Sequence, residues 1–195
     1  MAPRIADKMR DLTPGEIQVT AYHEAGHAVV GLVLIPGLVR DVSINERVLC
    51  VSNGNKRDQR NYLGQMRFLA YSTSDSNIER LGICYTAGKL GELIGLGAAE
   101  AQADRFDSEF LFLLAANHTR LSPLYVDSQK YVTAWLEFHR VAESWARVIL
   151  QTEARLFREL ASELRHIKQL NRERLLALLH KFGTGQLYNP VLFAS

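Results

Sequence analysis

The sequence predicts an α+β protein in which helix dominates and a small sheet accompanies it. Three observations carry this expectation. Apolar residues recur at helical spacing through most of the chain. Two short alternating, β-branched runs, "VRDVSI" and "RVLCVS", lie together after a Pro-Gly pair. No repeat, low-complexity run or long linker divides the 195 residues, a length that suits one domain. The expected organisation is a flexible arm over 1–12, a single domain over 13–183 with halves at 13–125 and 126–183, and a tail over 184–195.

The first helix has its start written out. Thr13 is the cap, Pro14 takes the first helical position and Glu16 closes a capping box. The helix should run to about Leu34 and stop before Pro36. Ile17, Ala21, Ala25, Ala28, Val29 and Leu32 supply its buried stripe. The two short strands follow, then a polar turn or flap, "NGNKRDQRN", and "YLGQMRFLAY" as a further strand. A helix is predicted through "SDSNIERLGICYTAGKLGELIGLG", leaving at Gly95–Gly97, and another through "AAEAQADRFDSEFLFLLAANH". After the connection "TRLSPLY", two or three more helices run from Asp127 to about Lys181 as a C-terminal bundle. They break near "HIKQLN" and end at Gly183.

Composition narrows the class. Hydrophobic residues make up 47% and charged residues 23%, enough for a core. A net charge of +2 gives no reason to expect a nucleic-acid partner. Cys50 and Cys84 are not a CxxC pair, so buried thiols are expected rather than a cysteine metal knuckle. The N-terminus lacks an apolar run of signal-peptide length, and "AVVGLVLIPGLV" is too short and too broken for a membrane span. The expected location is cytoplasmic.

The chemistry is concentrated in "AYHEAGHAVV", Ala21 to Val30. Residues four apart on a helix lie one above the other. His23 and His27 can therefore aim both imidazoles at one metal ion. Glu24 lies beside that ion rather than on it. This is the HExxH arrangement of zinc hydrolases: a metal-activated water, with Glu24 as general base. The bland alternative is three polar residues on a solvated helix face. A catalytic zinc normally has three protein ligands, and no third histidine follows His27 closely. His118, His139, His166 and His180 are candidates by type, Glu46 is another, and Asp104 and Asp107 open a predicted helix after a glycine-rich turn.

At this point the sequence resembles the peptidase domain of the FtsH-type AAA+ zinc metalloproteases. "AYHEAGHAVV" is similar to that family's signature, including Ala25 and Gly26 between the histidines. "VRDVSI" and "YLGQM" resemble the strands that follow the motif helix. "AGKLGELIGLG" resembles the glycine- and glutamate-rich helix, with Gly88, Glu92 and Gly97 in place. The resemblance implies a zincin-like fold and a third zinc ligand from an aspartate in "AEAQADRFDSEF". The connecting turn is shorter than in the family, which leaves Asp104 and Asp107 both open; Asp104 is favoured because Ser108 stands four residues on.

The chain has no GxxxxGK[ST] phosphate loop. It therefore resembles stand-alone proteins carrying only this domain, with or without a separate ATPase. The function expected is zinc-dependent endopeptidase action on flexible or unfolded polypeptides, oligomeric state open. The alternative is a catalytically silent interaction module on a peptidase fold. A deformylase-type hydrolase ranks below both, because its cysteine ligand precedes the motif and both cysteines here follow it.

Overall fold

The computed structural model describes residues 8–45, 47–50, 52–53, 56–57, 64–69, 74–97, 104–124, 126–190 and 192. Helices dominate it. The order is β1 (Lys8–Asp11), α1 (Pro14–Leu34), β2 (Val39–Ile44), β3 (Arg47–Cys50), β4 (Ser52–Asn53), β5 (Lys56–Arg57), β6 (Gly64–Phe68), α2 (Asp75–Leu96), α3 (Asp104–Ala116), a 3-10 turn at Ser122–Leu124, α4 (Ser128–Thr152), α5 (Ala154–Ile167), β7 (Gln169–Asn171) and α6 (Arg172–Phe182).

Helix α1 starts as its sequence dictates. The Thr13 hydroxyl accepts from the Glu16 N–H at 3.2 Å, and Glu16 accepts from the Thr13 N–H at 2.8 Å. From Thr20 onward the helix is buried on nearly every side. A helix apolar all round belongs in the middle of a domain, and α1 is packed by α2, α5, β2 and β6. Its end at Leu34 leaves Pro36 in the turn to β2. Arg172 closes that turn, donating to the carbonyls of Pro36 at 3.0 Å and Val39 at 2.6 Å.

Strand β2 is the centre of a three-stranded antiparallel sheet, order β6-β2-β7. Val39, Val42 and Ile44 point into the core against α1. Strand β6 pairs with β2 alone among the described residues, so it forms an edge. Two further two-stranded ladders join β1 to β3 and β4 to β5.

Helices α1 and α2 come together closely enough for their backbones to touch. A Cβ on Gly26 would stand 2.3 Å from the Ala87 carbonyl oxygen, and one on Gly91 would stand 2.3 Å from that of Tyr22. No side chain fits at either position, so the glycines that cost helix propensity here permit the crossing. Helix α2 ends at Gly97 in the left-handed conformation, φ 74°.

One expectation is corrected. Lys8–Asp11 is not a loose arm but a strand paired with β3, tied down by Arg10, which forms an ion pair with Glu16. The helical half holds three helices, with breaks at Glu153 and near Lys168. After Gly183, Thr184 donates its N–H to the buried Glu153 carboxylate at 2.8 Å, and Leu192 is buried. The flap "NGNKRDQRN" falls mostly outside the described residues, apart from the β4–β5 ladder. No helix among the described residues is long and apolar enough to cross a membrane.

Candidate metal centre

The middle of α1 carries His23, Glu24 and His27, all buried. The one-turn spacing places the two imidazoles together, with the Nε2 atoms 3.0 Å apart. A carboxylate completes the cluster. Oδ2 of Asp107, from the first turns of α3, lies 2.9 Å from His23 Nε2 and 3.1 Å from His27 Nε2. Among the described residues, these three form the group whose donor atoms converge as metal ligands would.

The other side of each ring decides what the convergent atoms are. His27 Nδ1 lies 2.7 Å from the Cys84 carbonyl oxygen. That oxygen can only accept, so Nδ1 carries the hydrogen. His23 Nδ1 lies 2.7 Å from Oε1 of Glu92, a carboxylate with no solvent exposure, and donates to it. With both Nδ1 atoms protonated, the Nε2 atoms of neutral rings are lone-pair acceptors. Three acceptors then face one another at about hydrogen-bond distance. Such a site is stable only with positive charge at its centre, either protons or a cation.

In proton terms the same conclusion follows. Burial pulls the pKa of His23 down, yet the hydrogen bonds to Asp107 and Glu92 outweigh it and raise it to about 10. His27 is also raised: burial opposes this, and the Asp107 charge prevails. Asp107 itself is held below the usual carboxylate range; burial works against this, and the charge on His27 with the hydrogen bonds from both rings wins.

A metal ion fits this set of residues. An ion ~2.0–2.1 Å from each donor in tetrahedral array would set them ~3.3 Å apart, a few tenths more than the distances found. The space beside them is kept by Gly88 of α2. A Cβ there would lie 2.5 Å from the Nε2 atoms of both histidines, crowding the space beside them. Two imidazoles and one carboxylate suit zinc, without excluding other divalent ions.

Glu24 stands next to this cluster. Its Oε2 atom is buried and has no hydrogen-bond partner. Burial raises the carboxyl to about 7, against the pull of His23 and His27. The side chain runs under Gly64, the first residue of β6, where a Cβ would come within 2.6 Å of Glu24 Cγ. An unpartnered buried carboxylate oxygen is costly.

The sequence-predicted residues are thus partly assembled. His23, Glu24 and His27 come together as their spacing requires. The carboxylate brought to them is Asp107, three residues beyond the favoured Asp104. Asp104 opens α3, and its side chain lies outside the described residues, as does Glu46. The remaining histidines are elsewhere. His118 is buried, 3.1 Å from Glu79 and accepting the Arg120 N–H. His139 packs on Trp135, and His166 and His180 are exposed at helix ends. Cys84 is a free, buried thiol that contributes only its backbone oxygen. The role of Glu92 went unread; a lone carboxylate amid "GELIGL" was its signal. Comparison of the chain with models of known protein families gives no match, and comparison with curated proteins gives none.

Proposed function

We propose that the protein is a zinc-dependent endopeptidase of the HExxH type that cleaves flexible or unfolded polypeptides. His23, His27 and Asp107 would hold the ion. Zinc, when bound, polarises a peptide carbonyl and acidifies a water. Glu24 takes the proton of the attacking water and delivers it to the leaving amine. The observation that carries this reading is the pairing of three convergent acceptors with the unpartnered Oε2 of Glu24.

Substrate access is supported by β6. Among the described residues it is an edge strand, and its first residue lies directly over Glu24. An extended peptide added to that edge brings its backbone past the base, a common mode of peptide recognition. The similarity of "AYHEAGHAVV" to the FtsH-type peptidases supports the same reaction, here in a cytoplasmic protein, with or without a partner ATPase.

The test is Glu24→Gln. The variant should bind zinc as the wild type does and lose cleavage of a reduced, carboxymethylated protein by at least a hundredfold. Retained cleavage would overturn the mechanism. A second reading, a silent interaction module, is favoured by the exposed Val132, Leu136 and Val148 on α4. It would take over if the zinc-loaded wild type cut no unfolded substrate.

A further inference from the structure

We propose that the outward face of α5 is an electrostatic docking surface for a membrane carrying anionic lipid headgroups. Charge is distributed unevenly along the chain. Residues 154–182 hold seven lysines and arginines against three acidic residues, a net +4, and the remainder holds sixteen against eighteen, a net −2. The overall charge of +2 conceals this basic end.

On α5 the cations fall in line. Arg155, Arg158 and Arg165 are exposed, and their spacing puts them on one side of the helix with Ser162 between them. The line is about 15 Å long at 1.5 Å per residue. Leu156, Phe157, Leu160 and Leu164 bury the opposite side, so the stripe cannot turn inward. Lys181 of α6 joins its first end: Lys181 Nζ and Arg155 Cζ lie 4.8 Å and 4.9 Å from the centroid of the same Phe182 ring.

These cations lack the partners that others have. Arg140 pairs with Glu137, Arg147 with Glu143 and Arg174 with Glu163, whereas among the described residues Arg155, Arg158 and Arg165 pair with no carboxylate. Glu159 flanks the stripe, and Glu153, at the start of α5, is buried and turned to Thr184 and Tyr188. Helix electrostatics explain half of the pattern. Arg165, His166 and Lys168 sit at the C-terminal end of α5, where positive charge is favoured. Arg155 and Arg158 lie near the N-terminal end, where it is disfavoured, and no acidic residue stands in the first turn to offset them. An anionic surface offsets that repulsion along the whole line.

Ile167 points to the kind of surface. It is 56% exposed, between His166 and Lys168 at the far end of the stripe. On a bilayer the cations meet headgroups while an apolar side chain enters the acyl boundary. Nucleic acid would reward the cations alone. The ring in the stripe, Phe182, is covered by Arg155 and Lys181 rather than offered to a base. Docking here leaves the candidate metal centre accessible. Lys168 leads into β7, and the order β6-β2-β7 puts β7 and the β6 edge on opposite sides of β2.

The experiment is co-sedimentation of the full chain with vesicles of phosphatidylcholine alone or with about 30% phosphatidylserine. Binding to the anionic vesicles should be at least tenfold stronger at about 0.05 M salt and should vanish at about 0.5 M. Arg158→Glu with Arg165→Glu should weaken it at least tenfold, at about fivefold or more per charge, and Ile167→Ser by about threefold. Arg158→Gln with Arg165→Gln is the milder pair should the first fail to fold. Arg140→Glu with Arg147→Glu makes the same change of net charge on α4 and should leave binding within about twofold of wild type. Equal binding to both vesicles overturns the proposal, as does an equal loss in the α4 control. Tighter binding to a short DNA duplex than to the anionic vesicles in the same buffer overturns it in favour of nucleic acid. None of these readouts uses cleavage, so the proposal stands or falls apart from the protease reading.

Discussion

His23 Nδ1 and Glu92 Oε1 lie 2.7 Å apart in the interior, joining residues 69 positions apart in the chain. The Glu92 carboxylate fixes which nitrogen of His23 carries its hydrogen, and so leaves Nε2 free to face Asp107. Second partners of this kind tune metal affinity by about 10–100-fold. Glu92→Gln keeps the volume and removes the charge. Zinc affinity, measured by competition with a chelating dye, should fall within that range while the circular dichroism spectrum stays unchanged.

Gly88 offers a sharper test of where the ion sits. An added methyl would stand 2.5 Å from both Nε2 atoms. Gly88→Ala should abolish zinc uptake by elemental analysis, although every ligand remains. Binding at wild-type strength would mean that the ion lies elsewhere.

The helix crossing can be tested separately from the site. Gly26→Ala drives a methyl into the Ala87 carbonyl, whereas Gly37 has open space around it. Overpacking of this sort costs about 1–3 kcal/mol, and more when backbone must move. Urea unfolding should show that loss for Gly26→Ala and little change for Gly37→Ala.

Protons and metal compete for one space. In the metal-free protein His23 holds its proton up to about pH 10, and His27 is raised in the same direction. Asp107 is already ionised at neutral pH and has no proton to give up. Zinc binding at pH 7 should therefore release about one to two protons, and affinity should strengthen about 10–100-fold from pH 6 to pH 7. Calorimetry in buffers of different ionisation enthalpy reads the proton count. The sign for folding is opposite to that for binding. A raised histidine pKa contributes stability that is fully present below pH ~6.5 and is lost as pH approaches 10. The metal-free protein should lose stability over that window.

Much of this fold was legible because the signals are local. Thr13, Pro14 and Glu16 mark one end of α1, Pro36 lies just past the other, and Gly183 follows the last residue of α6. The pair His23 and His27 needs nothing but helical geometry. What escaped depends on distant partners. The α4–α5 break at Glu153 has no proline or glycine to announce it; its carboxylate is engaged by Thr184 and Tyr188, more than thirty residues on. Strand β7 is three residues long and exists because β2 offers an edge. Lys168 takes a left-handed conformation, φ 66°, with no glycine to signal it. The choice between Asp104 and Asp107 turns on how α3 is rotated against α2. Two carboxylates three apart share much of one helix face, so spacing alone leaves both open.

The cluster joins α1 to α3 across a separation of 80 residues, from His27 to Asp107. An ion held there is a removable cross-link as well as a reagent. It bridges segments that an unfolded chain would have to bring together at an entropic cost. Chelation would then loosen the architecture itself, and the melting temperature would climb with free zinc concentration. The availability of metal would set how long the folded chain survives, whether or not any substrate is present.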